Sequence, residues 1–146
     1  GYSVTVPLQE KQPLRIPLVD FEQKVVITPL GSRVRIAGTA EFTGYDTTLN
    51  TARGGNILRQ AIGLLPQLTG PVEQGRAIHW AGLRPMTCDG PPVLGPSPYA
   101  NLFFNTGHGP LGWTLGAGSA RLVADMIAGR QPEIDTRGLL FTRFTH

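Results

Sequence analysis

The opening part of the chain alternates apolar and polar residues with a period of two. Ser3-Val4-Thr5-Val6 reads as a strand, broken or edged by Pro7. Leu14-Arg-Ile-Pro-Leu-Val19, Lys24-Val-Val-Ile-Thr28 and Arg33-Val-Arg-Ile-Ala37 follow as β-branched runs, with Gly31-Ser32 supplying a hairpin turn between the last two. The pattern predicts an antiparallel meander with one solvated face, carrying Arg33 and Arg35, and one buried face, carrying Val34 and Ile36. Gly38-Thr-Ala-Glu-Phe-Thr-Gly44 is expected to extend the last strand, with Glu41 as an edge carboxylate and the glycines leaving room for a bulge.

Past Asp46 the period changes. Ile57, Leu58, Ala61, Ile62 and Leu65 lie on one stripe of a helix that Thr48 or Asn50 can cap and Pro66 ends. Gly54 and Gly55 each weaken its first turn by about 1 kcal/mol relative to alanine, so the ordered helix is expected to begin late. A strand follows over residues 74–83, with Ala77, His79 and Ala81 on one face and Ile78 and Trp80 on the other. Gly82 to Gly95 is dense in turn residues and predicts a loop, with Arg84 where the strand gives way to it. Asn101 to Asn105 is a short apolar strand that feeds a glycine-rich turn and a second helix. That helix carries Leu115, Leu122, Val123, Met126 and Ile127 on one side, and Gly112, Gly116 and Ala120 on a face small enough for close contact. Gly129 stops it, Pro132 prevents its continuation, and the tail to His146 has apolar residues to dock but no repeating pattern. These elements define an α+β fold, an antiparallel or mixed sheet with two main helices.

Composition narrows the picture. The 146 residues, 40% of them hydrophobic, suit a globular domain with a real core, and thirteen prolines with nineteen glycines point to many turns and short elements. A formal charge of +3, with Lys and Arg scattered, gives no reason to expect nucleic acid. The most apolar stretch, Leu111 to Ala128, is interrupted by Arg121 and Asp125 and does not read as a membrane span. Cys88, the single cysteine, rules out an internal disulfide. Gly1-Tyr-Ser-Val4 opens without methionine or polar lead-in, as expected of a piece of a longer protein.

Candidate chemistry gathers at Asn105-Thr-Gly-His-Gly-Pro-Leu-Gly-Trp-Thr114. Gly107, Gly109 and Gly112 allow positive φ and close approach of a ligand to the backbone, and Pro110 suits the first turn of a helix. The N–H groups beyond it would point at a phosphate or at a carbonyl that gains charge. Taken alone, the glycines equally well serve to pack a helix closely on a strand. Arg84 can present a planar fork to a carboxylate, or form a salt bridge to Asp89 or Glu73, and its position favours the salt bridge. His79 has no ligand partner at metal spacing and reads as structural, and Cys88 reads as an inert loop thiol.

Gly82-Leu-Arg-Pro-Met-Thr-Cys-Asp-Gly-Pro-Pro, Asn105-Thr-Gly-His-Gly-Pro-Leu-Gly-Trp and Ile134-Asp-Thr-Arg-Gly-Leu139, in that order, resemble the carboxyl-terminal third of the small subunit of bacterial D-amino-acid dehydrogenases. These belong to the FAD-dependent D-amino-acid oxidase and glycine oxidase superfamily, and Gly1-Tyr-Ser-Val-Thr-Val-Pro7 and Gly38-Thr-Ala-Glu41 also look like that family. The resemblance implies a flavoenzyme that oxidatively deaminates D-amino acids to 2-oxo acids and ammonia by hydride transfer from Cα to flavin N5. It implies that residues 1–100 supply substrate-domain sheet and helix, and that residues 101–146 supply a strand, turn and helix that complete the FAD-binding domain. The amino-terminal dinucleotide-binding part, which opens with a Gly-x-Gly-x-x-Gly fingerprint, is expected to be absent from this chain.

By the same resemblance Arg84 matches the arginine that binds the substrate carboxylate, which reverses the preference for a salt bridge. Gly107, His108, Gly109, Pro110, Leu111, Gly112, Trp113 and Thr114 match the loop and helix start that lie against FAD. The implied partners are a D-amino acid, an electron acceptor such as a quinone, and the missing amino-terminal domain. The implied location is the bacterial cytoplasm, with peripheral contact at the inner membrane left open. Departures are Cys88, where many relatives are expected to carry proline, the unusual Gly54-Gly55 pair, and Val26, near where glycine oxidases carry a substrate-lining tyrosine. Two alternatives stand beside this reading: an oxidase for glycine or sarcosine that uses O2, and a non-catalytic folded module whose apolar surface drives self-association. The chain alone is expected to be inactive.

Overall fold

The computed structural model describes residues 1–8, 14–73 and 75–145, so that Gln74 and His146 of the predicted elements lie outside the described residues. The chain forms two compact units, Gly1–Leu83 and Arg84–His146, each closed around its own packing. A division after residue 100 would run between the two paired strands of the second unit, β6 (Val93–Pro96) and β7 (Phe103–Thr106), which hydrogen bonds hold together.

The first unit is a five-stranded antiparallel sheet in the order β2-β3-β4-β1-β5, made of β1 (Tyr2–Pro7), β2 (Leu18–Asp20), β3 (Val25–Leu30), β4 (Arg33–Gly38) and β5 (Ile78–Ala81). Its register follows from the alternation. Val4 faces Ile36 across β1 and β4, Ile27 faces Ile36 across β3 and β4, and all three are fully buried. Arg33 and Arg35 point the other way, into solvent, and Arg35 lies over the ring of Trp80 at 5.6 Å. Gly31 takes φ +59 in the two-residue turn between β3 and β4, a backbone state that glycine adopts without steric cost.

Three expected strands have other bounds than the sequence suggests. The run from Leu14 narrows to Leu18–Asp20, because Pro17 lacks the N–H a ladder needs. Lys24 sits at φ +58 in the turn that Asp20 organises by accepting the Glu22 and Gln23 N–H groups, so β3 begins at Val25. The predicted continuation of β4 through Gly44 does not form. Thr39 adopts φ +55 directly after Gly38 and turns the chain out of the ladder.

One face of the sheet is covered by α1 (Thr51–Leu64), through buried Ile57, Leu58 and Ala61. Asn50 caps this helix by accepting the N–H groups of Ala52 at 3.1 Å and Arg53 at 3.3 Å, so it starts at Thr51 rather than late. Gly54 is buried beneath His79 of β5, where no larger residue fits without displacement, and this close approach explains one member of the glycine pair. Glu41 accepts the Tyr2 hydroxyl and ion-pairs with Arg53, tying the segment after β4 to both β1 and α1. That hydrogen bond raises the Tyr2 hydroxyl above its ordinary pKa of 10.0. A short α2 (Thr69–Glu73) follows a single 3-10 turn at Pro66–Leu68.

In the second unit β6 and β7 form an antiparallel hairpin against α3 (Gly112–Ile127). The strand β6 begins inside the stretch Gly82–Gly95 predicted as loop and runs one residue past its end. Its sequence, Val-Leu-Gly-Pro, has two turn residues in four, yet Val93 and Leu94 are buried and Gly95 takes φ +104 beneath Met126. Of the apolar side expected on α3, Val123 is buried, Leu122 and Met126 are half-buried, and Leu115 and Ile127 are exposed. The expected close-contact face of small residues is open, since nothing lies within 4 Å of a Cβ placed on Gly116. The tail docks through 3-10 turns at Arg137–Leu139 and Phe141–Phe144, with Phe141 against Phe104 at 5.3 Å between ring centres.

Candidate functional site

The second unit brings the loop that begins at Arg84 beside the turn that begins at Gly107. Gly109 donates its N–H to the Pro85 carbonyl at 2.9 Å, and Met86 and His108 form an isolated antiparallel bridge. Gly107, at φ +79 and buried, packs so tightly that a Cβ would lie 2.7 Å from Cγ2 of Thr87. The Gly107 and Gly109 side of the turn is therefore explained by packing against residues 85–87, and its glycines are required there whatever the ligand.

His108 is half-buried, and its Nε2 lies 3.0 Å from Oγ of buried Ser119. The Ser119 hydroxyl donates to the Leu115 carbonyl at 2.6 Å, so its oxygen is left to accept from a protonated Nε2. Ser119 pins the turn to the body of the helix, and sequence reading did not single it out. A serine two turns into a helix is a weak signal by itself.

The helix begins differently from the expectation. Pro110 occupies a single 3-10 turn, Gly109–Leu111, and α3 starts only at Gly112, with no side chain capping it. An α-helix leaves its first N–H groups without intrahelical acceptors, so the uncapped start of α3 retains donors for an oxygen-bearing ligand. The neighbouring side chains leave it accessible. Pro110 and Thr114 are exposed, Leu111 is 53% exposed and Trp113 98%. An accessible helix start with glycine backbone at Gly112 fits the carbonyl and ring edge of a flavin.

Gly107-His-Gly-Pro-Leu-Gly112 does spell the Gly-x-Gly-x-x-Gly spacing, which corrects the expectation that the chain holds none. It stands between a strand and a helix, but β7 pairs antiparallel with β6, and the described residues after α3 form 3-10 turns rather than a second parallel strand. The spacing is therefore not part of a βαβ dinucleotide-binding unit.

Arg84 is exposed and forms no ion pair among the described residues. The salt bridge to Asp89 weighed from the sequence is not made, because Asp89 is taken by Arg143. That hydrogen bond holds the Asp89 carboxyl below its ordinary 3.8 and raises the Arg143 guanidinium. Asp125, buried in α3, accepts from Arg121 at 2.9 Å and Arg130 at 2.7 Å, and these bonds depress its pKa in turn. No group of three or more His, Cys, Asp or Glu able to hold a metal occurs among the described residues.

Residues 1–126 match the family described as FAD dependent oxidoreductase, abbreviated DAO. The chain belongs to this family, whose members use FAD. It is similar to proteins named D-amino acid dehydrogenase. One, from Bradyrhizobium diazoefficiens, is 45% identical over all of this chain and 34% of its own length. Another, from Agrobacterium fabrum, is 47% identical over 99% of this chain and 34% of its own length. The chain thus spans about a third of the length of these relatives. Among solved structures, glycine oxidase from Geobacillus kaustophilus superposes on the whole chain and 39% of its own with a TM-score of 0.82 at 30% identity. Iminodiacetate oxidase from Chelativorans shares the fold, with a TM-score of 0.71 over 95% of this chain and 38% of its own at 22% identity.

Proposed function

We propose that this chain is the substrate-side and flavin-facing part of an FAD-dependent D-amino-acid dehydrogenase. The observation that carries the reading is the joining of the Arg84 loop to the Gly107–Gly112 turn through the Gly109 to Pro85 hydrogen bond and the Met86–His108 bridge. A carboxylate anchor without an internal partner stands next to an uncapped helix start. The 45% and 47% identity to proteins named D-amino acid dehydrogenase favours this chemistry over that of glycine oxidase.

In this reading Arg84 binds the substrate carboxylate through a two-pronged hydrogen bond and so fixes the direction in which Cα presents its hydrogen. The exposed guanidinium has no competing carboxylate to displace among the described residues. The start of α3, from Gly112 to Thr114, holds the flavin's carbonyl edge with its backbone donors, and His108 and Ser119 fix that turn against the helix. Bound FAD supplies the acceptor for the hydride leaving Cα; the resulting imino acid takes up water and gives a 2-oxo acid and ammonia. The remaining contacts to FAD come from an amino-terminal part outside this chain, and the site within the chain is incomplete. An acceptor such as a quinone would take the electrons at the inner face of a bacterial membrane. No helix among the described residues is long and apolar enough to cross one.

The full-length protein carrying this chain is expected to show a flavin spectrum and D-alanine-dependent dye reduction. Arg84→Ala should raise KM at least tenfold, since a charge-assisted pair contributes roughly 1.5–3 kcal/mol. Unchanged kinetics in that variant would remove Arg84 from the site. Stoichiometric hydrogen peroxide release during turnover would instead mark the protein as an oxidase.

A further inference from the structure

The loop that carries Arg84 is fastened at its far end by one side chain from the tail. Arg143 is only 13% exposed, and all five of its N–H donors have acceptors. Nε donates to Asp89 Oδ2 at 2.6 Å and Nη2 to Asp89 Oδ1 at 3.1 Å, while Nη2 also reaches the Pro91 carbonyl at 2.7 Å. Nη1 donates to the Pro92 carbonyl at 3.1 Å and the Leu140 carbonyl at 3.3 Å. The guanidinium plane is further covered by the Phe144 ring at 4.3 Å. Between the fastened ends, Thr87 closes the loop on itself by donating to the Pro91 carbonyl at 2.8 Å and accepting the Gly90 N–H at 3.1 Å.

We propose that Arg143, acting through Asp89, is a positioning residue for Arg84. The inference rests on the assignment of Arg84 as the carboxylate anchor. The loop from Arg84 to Pro92 has two attachments within its unit, the Gly109 and His108 backbone at the front and Arg143 at the back. Arg84 itself projects without a partner, so its placement is set by the loop backbone rather than by contacts of its own. With the rear attachment removed, residues 89–92 lose four hydrogen bonds and the loop keeps only those made by Thr87 at that end, so the forked donor at Arg84 loses its fixed aim. Lysine at position 143 would have three donors and no plane, and cannot reproduce the arrangement.

The test is steady-state kinetics of the full-length flavoprotein with Arg143→Gln and, separately, Asp89→Asn, which leaves the carbonyl acceptors of Arg143 intact. Each is expected to raise KM for the D-amino acid about tenfold with kcat within about twofold and the bound-flavin spectrum unchanged. Introduced into Arg84→Ala, the same substitutions should raise KM no further, because the group they position is gone. A folded, flavin-bearing variant with unchanged KM, or an equal rise in the Arg84→Ala background, overturns the proposal. If Arg143→Gln does not fold, Asp89→Asn decides on the same two readouts. Arg84→Ala without effect would overturn the site assignment itself, whereas an effective Arg84→Ala beside silent Arg143→Gln and Asp89→Asn overturns only the positioning role.

Discussion

Gly54 and Gly55 stand side by side in α1, yet a Cβ on Gly54 would come 2.3 Å from Nδ1 of His79, while one on Gly55 meets only Arg59 Nη1 at 3.9 Å. Helix propensity favours alanine at both by about 1 kcal/mol. Gly55→Ala is therefore expected to stabilise the first unit by about that amount in chemical denaturation. Gly54→Ala should destabilise it, because the His79 ring must leave its place between helix and sheet, and adding His79→Ala should recover the loss. The buried Nδ1 of His79 has no hydrogen-bond partner, so its displacement forfeits packing rather than a bond. Asp125 gives the corresponding test for charge in the second unit. Hydrogen bonds from Arg121 and Arg130 hold its folded pKa below the ordinary 3.8. The stability it contributes is thus fully present above 3.8 and is lost as pH falls through the lower folded value. Melting temperature recorded downward from pH 5 should fall less steeply in Asp125→Asn than in the parent, from an already lowered start.

Among the elements, those legible in the sequence are the ones whose burial is local and periodic. Val4, Val6, Val34 and Ile36 alternate in sequence and in the structure, and the Ile57, Leu58 and Ala61 stripe of α1 lies buried on the same sheet. What escaped was set by partners outside the segment itself or by single backbone angles. Nothing in Val93-Leu-Gly-Pro96 marks a strand until β7 pairs with it, and Arg143 joins Asp89 across 54 residues. The extension of β4 failed on one backbone angle, at Thr39, which no side-chain pattern announces. Arg84 and the 107–114 turn were singled out by motif, but their attachment through Pro85, Met86 and Gly109 is a backbone contact, invisible to any pattern of side chains. Gly107→Ala tests that attachment as an element. At φ +79, with Thr87 2.7 Å from the new Cβ, the substitution should cost about 1–3 kcal/mol in the second unit. Proteolysis at the Arg84–Pro92 loop should become faster in that variant, while the melting behaviour of the first unit stays as it was.

For the molecule as a whole, the question is how much of a cofactor site this chain can sustain. Its own contribution is the uncapped start of α3, a set of donors with no enclosing wall. Trp113 is 98% exposed there, and the small-residue face of α3 at Gly116 is open. Donors that remain in water exchange one hydrogen bond for another and gain little, so affinity at this end depends on whatever excludes solvent from it. Binding to the native state alone raises stability by RT ln(1 + [L]/Kd), which turns the question into a melting temperature. FAD at about 100 times its dissociation constant should stabilise the full-length protein by about 2.7 kcal/mol and leave the melting of this chain by itself unmoved at the same concentration. Trp113 supplies the second readout: its fluorescence should be quenched freely by iodide in the chain alone and be protected in the longer protein. Equal thermal shifts in the two would mean that the chain by itself carries a complete flavin site, and would give the exposed start of α3 a wall drawn from this chain alone.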